Sequence, residues 1–129
     1  MQTMIPEARL TNPAFLPGAM DALLALGKVV QRAGVPATTV ELLSLRASQI
    51  NGCAVCVTQH PKILRKLGES DDRIFSVAAW RESPFFTEAE RAALALTEAV
   101  TRLADQGDPV PDEVWDEAAR HYSDAAHTA

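Results

Sequence analysis

Apolar positions recur along this chain with a period close to that of a helix, nearly from end to end. After Met20, residues Leu23, Leu24, Leu26 and Val30 return at helical spacing, and Gly34 stands where a C-terminal cap would sit. The stretch "PATTVELLSLRASQIN" opens on Pro36, and Thr38 with Glu41 has the form of a capping box; Val40, Leu43, Ala47 and Ile50 then share one apolar face. Gly52 interrupts that period, and a further helix runs from about Cys53 to Leu67, closed by Gly68. "ESDDRIFSVAAWRES" sets Ser70 and two aspartates at the start of a short helix, where a hydroxyl can cap free N–H groups and negative charge suits the dipole. "FFTEAERAALALTEAVTRLA" carries a second capping box, Thr87 to Glu90, ahead of the stripe Ala89, Ala93, Leu96, Val100 and Leu103. A last helix spans about Pro111 to Tyr122 and carries Val114, Trp115 and Ala118.

Asn51-Gly52 would signal a hairpin between strands, but both flanks have helical period, so it marks a break between two helices. No run of alternating β-branched residues, no long linker, no repeat and no low-complexity segment is present. The expected fold is all-α, one domain over residues 1–129.

Composition narrows the classes of function. At 47% hydrophobic and 22% charged the chain is globular rather than disordered. Net charge is -5 with no dense Lys/Arg block, so nucleic acid is not an expected partner. The apolar stretches are broken by Lys, Arg, Asp or Gly well short of spanning length, so a membrane is not expected either. "MQTMIPEARL" lacks the basic, apolar and small-residue regions of a secretory leader. Two cysteines without a leader point to a reducing, cytoplasmic setting, where paired thiols are more often catalytic or metal-binding than structural.

Both cysteines lie in "INGCAVCVTQH", residues 50–60. On a helix Cys53, Cys56, Val57 and His60 fall at i, i+3, i+4 and i+7, which is one face. Cα atoms three apart on a helix are roughly 5–6 Å from each other, inside the disulfide range, so the pair can close and open without moving the backbone. A position just after a glycine break, at the start of a helix, favours the thiolate. Cys53 is nearer that start, whereas Cys56 has His60 one turn away, a partner worth more to a thiol than the dipole is. Were residues 41–53 one helix, the Cα of Glu41 would lie about 18 Å along the axis from that of Cys53. Folded back at Asn51-Gly52 as an antiparallel pair, Glu41 and His60 are at similar distances from the turn and can face each other, the carboxylate fixing the tautomer of the base. Glu41 therefore has two readings, closing the capping box with Thr38 and orienting His60.

Glu41, "RASQINGCAVCVTQH" and "AWRESPFFTEAERAALALTEAVT" together resemble the alkylhydroperoxidase AhpD-like branch of the carboxymuconolactone decarboxylase family, over about residues 10 to 122. The centre of the likeness is a Glu twelve residues before Cys-x-x-Cys-x-x-x-His. The resemblance implies an AhpD-like helical fold, an oligomer (commonly a trimer or hexamer) and a thiol peroxidase site. In that site Cys56 would be the peroxidatic cysteine, Cys53 the resolving one, His60 the base-side histidine and Glu41 the relay carboxylate. The implied partners are a peroxide substrate and an external dithiol reductant; no cofactor is expected, and no Gly-rich nucleotide loop is present. Some relatives carry a further histidine between the cysteines, where this chain has Val55, and relatives usually continue after "HYSD" with one more apolar helix, where this chain has "AAHTA".

Competing readings stand beside this one. Cys53, Cys56, His60 and Glu41 could form a four-ligand zinc set, although structural zinc usually draws on two spaced pairs. The decarboxylase reaction that names the family is a second rival, and an oligomeric stress module with vestigial thiols is a third. His121 and His127 have no partners at useful spacing, Trp80 and Trp115 are core or interface anchors, and Arg81 and Glu82 lie on a solvated or intersubunit face.

Overall fold

The computed structural model describes residues 16–105 and 107–127. The sequence readings of residues 1–15 and of the His127 side chain lie outside what it describes. Among the described residues the chain is helical, with no strand: α1 (Ala19–Val30), α2 (Ala37–Asn51), α3 (Ala54–Lys66), α4 (Asp71–Ser76), α5 (Glu88–Thr101), α6 (Asp112–His121) and α7 (Asp124–His127). Short 3-10 turns follow α4 at Val77–Ala79 and α5 at Leu103–Asp105. The all-α expectation holds, and α7 is the one element the apolar period did not indicate.

The core forms where α2 packs on α3 and on α5, with the Val77–Ala79 turn closing one end. It consists of Leu42 and Leu45 from α2, Leu64 from α3, Ile74, Val77, Trp80 and Phe86 from the middle of the chain, and Leu94 from α5. Of the apolar face that the spacing in α2 marks out, Leu43 packs partly against this core. Val40, Leu43 and Ala47 also line a cavity of about 370 Å³ with Val30, Ala93, Leu96 and Val100. A helix between two neighbours is apolar on two sides, and spacing alone does not say which side meets the core. In α5, Leu94 is fully buried and Ala93 of the expected stripe is 6% exposed, while Val100 of that stripe and Leu103, in the turn beyond α5, are 44% and 53% exposed.

Helix ends follow local chemistry where a side chain is free to cap. Ser70 Oγ accepts the Arg73 N–H, and Thr87 with Glu90 forms a full capping box. Thr38 with Glu41 does not, which corrects the expectation: α2 begins at Ala37 with Pro36 at its N-cap position, a side chain with no acceptor, so Thr38 already lies inside the first turn, and Glu41 meets His60 instead. Gly34 has φ +83 but lies three residues past Gln31, where α1 caps. Helix α1 buries none of its residues, and Leu23, Leu24, Leu26 and Val29 are each about 60% exposed. No helix among the described residues is long and apolar enough to cross a membrane.

Candidate active site

The chain leaves α2 and enters α3 within two residues, and that turn builds the site. Gly52 adopts φ 68, ψ 30, the left-handed conformation that ends helices and that glycine takes without steric cost. The Cys53 N–H then reaches back to the Ser48 carbonyl at 3.0 Å, and the Gly52 N–H to Gln49 at 3.4 Å, the paired bonds of a Schellman ending. Cys53 turns extended (φ -78, ψ 98) and becomes the N-cap of α3, its Sγ accepting the Cys56 backbone N–H at 3.3 Å. One residue thus closes one helix and opens the next. The break at Asn51-Gly52 is where the sequence places it.

Cys53 and Cys56 are joined as a disulfide with their Cα atoms 5.3 Å apart, within the range that needs no backbone adjustment. Antiparallel packing of α2 on α3 then brings together groups nineteen residues apart: His60 Nδ1 lies 2.7 Å from Glu41 Oε2. Their side chains are 23% and 21% exposed, so the pair is shielded but reachable. An ionised carboxylate only accepts, so Nδ1 is the donor in that bond, and in the neutral ring Nε2 then carries the lone pair. His60 follows Cys56 by one helical turn, which sets their Cβ atoms roughly 5–6 Å apart on one face. Ile63 and Leu67 continue that face and are 38% and 44% exposed. Val55, between the cysteines, points away and is 69% exposed.

All four residues singled out in the sequence, Glu41, Cys53, Cys56 and His60, therefore fall in one place. Among the described residues no group of three or more His, Cys, Asp or Glu side chains is arranged to hold a metal ion, and both sulfurs are committed to the disulfide. Ser48 and the backbone N–H of Cys56 are parts of the site that residue type could not disclose, because they act through main-chain atoms.

A second polar cluster lies elsewhere in the fold. Glu98 is 8% exposed and accepts from Arg46 Nε at 2.8 Å, Trp80 Nε1 at 2.9 Å and Arg81 Nη1 at 2.5 Å. Burial alone would push its carboxyl up, but the bonds from Arg81, Trp80 and Arg46 outweigh that and hold it below the ordinary carboxylate range. Arg81 is thus tied to the core, and its guanidinium stacks 4.3 Å from the Trp80 ring. Trp80 is a core anchor at 5% exposure, whereas Trp115 is 45% exposed. His121 does have a partner, contrary to expectation: Glu117, one turn earlier on α6, lies 3.3 Å away.

Comparison with known proteins bears on this site. The model of the Carboxymuconolactone decarboxylase family matches residues 17–99. The chain is 36% identical over 116 residues to the uncharacterized protein YdfG of Bacillus subtilis, covering 90% of this chain and 78% of that one. It is 35% identical over 89 residues to the alkyl hydroperoxide reductase AhpD of Methylocella silvestris, covering 69% of this chain and 46% of that protein. With the AhpD of Solibacter usitatus it shares 38% over 66 residues, covering 51% and 36%. The match thus spans less than half the length of these two AhpD relatives. Among solved structures, ATU0492 from Agrobacterium tumefaciens, a protein of unknown function, superposes with a TM-score of 0.79 at 42% identity, covering 87% of this chain and 75% of that one.

Proposed function

We propose, from the premise that this chain belongs to the carboxymuconolactone decarboxylase family, that it is a thiol-dependent peroxidase of the alkylhydroperoxidase type. The observation that carries this reading is the Glu41–His60 contact set beside a Cys53–Cys56 pair that closes as a disulfide. His60 Nε2 takes the Cys56 thiol proton, with Glu41 holding the ring through Nδ1. The Cys56 thiolate attacks a peroxide oxygen, the O–O bond breaks, and Cys56 becomes a sulfenic acid while the departing oxygen takes the proton from His60. Cys53 then attacks the Cys56 sulfur and expels water, leaving the disulfide, which an external dithiol reduces. Such a cycle suits a reducing, cytoplasmic setting.

The assembly we propose is a homo-oligomer, a trimer or hexamer, supported by the exposed apolar residues of α1. The experiment that tests the reaction is thiol counting on reduced protein treated with one equivalent of peroxide. Loss of both thiols is expected. In the presence of a sulfenic-acid trap, Cys53→Ser should be labelled and Cys56→Ser should not. Thiols inert to peroxide would overturn the peroxidase, and inert thiols with stoichiometric zinc would replace it by a metal site.

A further inference from the structure

We infer that α1 of one copy docks in the cavity between α2 and α5 of a second copy, so that each chain gives one helix and receives one. This rests on the homo-oligomer proposed above and adds where on the partner the helix lands; it is independent of the thiol chemistry. Two apolar surfaces of this chain are left open, and they match. The first is α1. Leu23, Leu26 and Val30 recur at i, i+3 and i+7 along one stripe, flanked by Leu24 and Val29. Such a stripe ordinarily faces a core, yet α1 buries none of its residues, and Leu23, Leu24, Leu26 and Val29 are each more than half exposed. Four aliphatic side chains so exposed leave on the order of 400 Å² of apolar surface, a size at which such patches mark interaction sites.

The second surface is the cavity of about 370 Å³, walled by Val40 and Leu43 of α2, Leu96 and Val100 of α5 and Ala118 of α6. A cavity of about 150 Å³ holds a benzene ring, so this one has room for more than one leucine side chain. Helix α1 does not fill it in its own chain. Its last residue, Val30, is part of the lining, but Leu23, Leu24, Leu26 and Val29 are not. Leu23 stands seven residues before Val30, about 10 Å along the helix axis. The helix is thus placed at one end by its own chain and presents an apolar stripe beyond it. Charge agrees with the pairing. The cavity lining carries no Asp, Glu, Lys, Arg or His, and its Tyr122 hydroxyl is already bonded to the Ala89 carbonyl at 2.8 Å. Asp21 and Lys28, the charged residues of α1, fall on the side of the helix away from Leu23 and Leu26. The stripe can therefore enter the cavity without burying a charge or stranding a polar group. Giving through one patch and receiving through another is a head-to-tail contact, the kind that closes into a ring of copies.

The test combines two variants and reads particle mass by light scattering over a concentration series, with far-ultraviolet circular dichroism as a check on folding. Leu23→Gln/Leu24→Gln/Leu26→Gln spoils the helix and keeps the cavity. Val100→Arg, at a partly exposed position on the cavity wall, puts a charge where the helix would lie and keeps the helix. Each alone is expected at the mass of one chain. Mixed in equal amounts, they should form a particle of two chains, because α1 of the Val100→Arg copy still meets an intact cavity on the other. If Val100→Arg does not fold, Ala47→Phe, which fills the cavity from α2, takes its place. A cavity variant that keeps the wild-type oligomer mass overturns the inference and leaves the homo-oligomer standing. Two dissociated variants that do not recombine overturn it as well, since α1 would then meet another α1 or a different surface. A wild-type chain that is monomeric refutes the oligomer and this inference together, and an apolar molecule found on that monomer by native mass spectrometry would assign the cavity to it.

Discussion

At the scale of single residues, the site depends on what Glu41 binds. Its carboxylate could have capped α2 through Thr38, and in the fold it meets His60 instead. His60→Gln should slow peroxide-driven thiol loss by about 100-fold, the lower end of what a positioned base contributes. Glu41→Gln should slow it by about 10-fold, because the base remains but its tautomer is no longer held. Stopped-flow thiol oxidation, with far-ultraviolet circular dichroism as a check on folding, measures both. Unchanged rates in the two variants would remove the relay from the mechanism. Gly52 offers a purely conformational test. A Cβ added there would meet nothing within 4 Å, yet φ is +68, so Gly52→Ala should cost about 1 kcal/mol through backbone strain alone, read as a lowered urea midpoint.

At the scale of elements, two Thr-x-x-Glu patterns look alike in sequence and differ in the fold. Thr87 Oγ1 accepts the Glu90 N–H at 3.2 Å and Glu90 returns a bond to the Thr87 N–H at 2.9 Å. Thr38 accepts no cap bond. Thr87→Ala should therefore destabilise the protein by about 1 kcal/mol, and Thr38→Ala should stay within about 0.5 kcal/mol of wild type. Equal losses in denaturant titrations would mean that α2 is capped in solution as its sequence suggests. Arg73 reinforces the start of α5, since its guanidinium pairs with Glu90 at 2.6 Å and with Glu69 at 2.7 Å. The Glu90 carboxyl is lowered as a result, although burial opposes the shift.

At the scale of the whole molecule, Glu98 ties α5 to α2 through Arg46 and to the segment after α4 through Trp80 and Arg81. Its carboxyl is held below its ordinary value in the folded chain. Its stabilisation is therefore fully present above the unfolded carboxylate value, near pH 4.3, and is lost as pH falls through the lower folded value. Glu98→Gln should lower stability at neutral pH by about 3 kcal/mol, since it leaves two arginines facing a neutral group. It should also flatten the loss of stability below about pH 4.3, whereas a stability–pH curve with the wild-type slope would show that other carboxylates set it. Helix α1 carries the second prediction at this scale. Substituting Leu23, Leu24 and Leu26 by Gln should reduce the particle mass in light scattering with little change in helix content, because none of the three is buried within the chain. A wild-type chain that is already a monomer at micromolar concentration would contradict the oligomer.

The sequence by itself determined the all-helical class, the break at Asn51-Gly52, the capping box at Thr87 and the placing of Cys53, Cys56 and His60 on one helix face. Each of these rests on local rules: a period of 3.6, a glycine free to turn left-handed, a hydroxyl within reach of the next turn, a spacing that places side chains on one face. Only the tertiary structure decided which of two apolar faces of α2 meets the core, and whether Glu41 turns to Thr38 or to His60. It also decided that Glu98, an ordinary helix-surface residue by type, is buried among two arginines and a tryptophan. Those outcomes depend on groups brought together from 19 and 52 positions apart in the chain. A helix presents several plausible partners for one side chain, and packing of its neighbours selects among them.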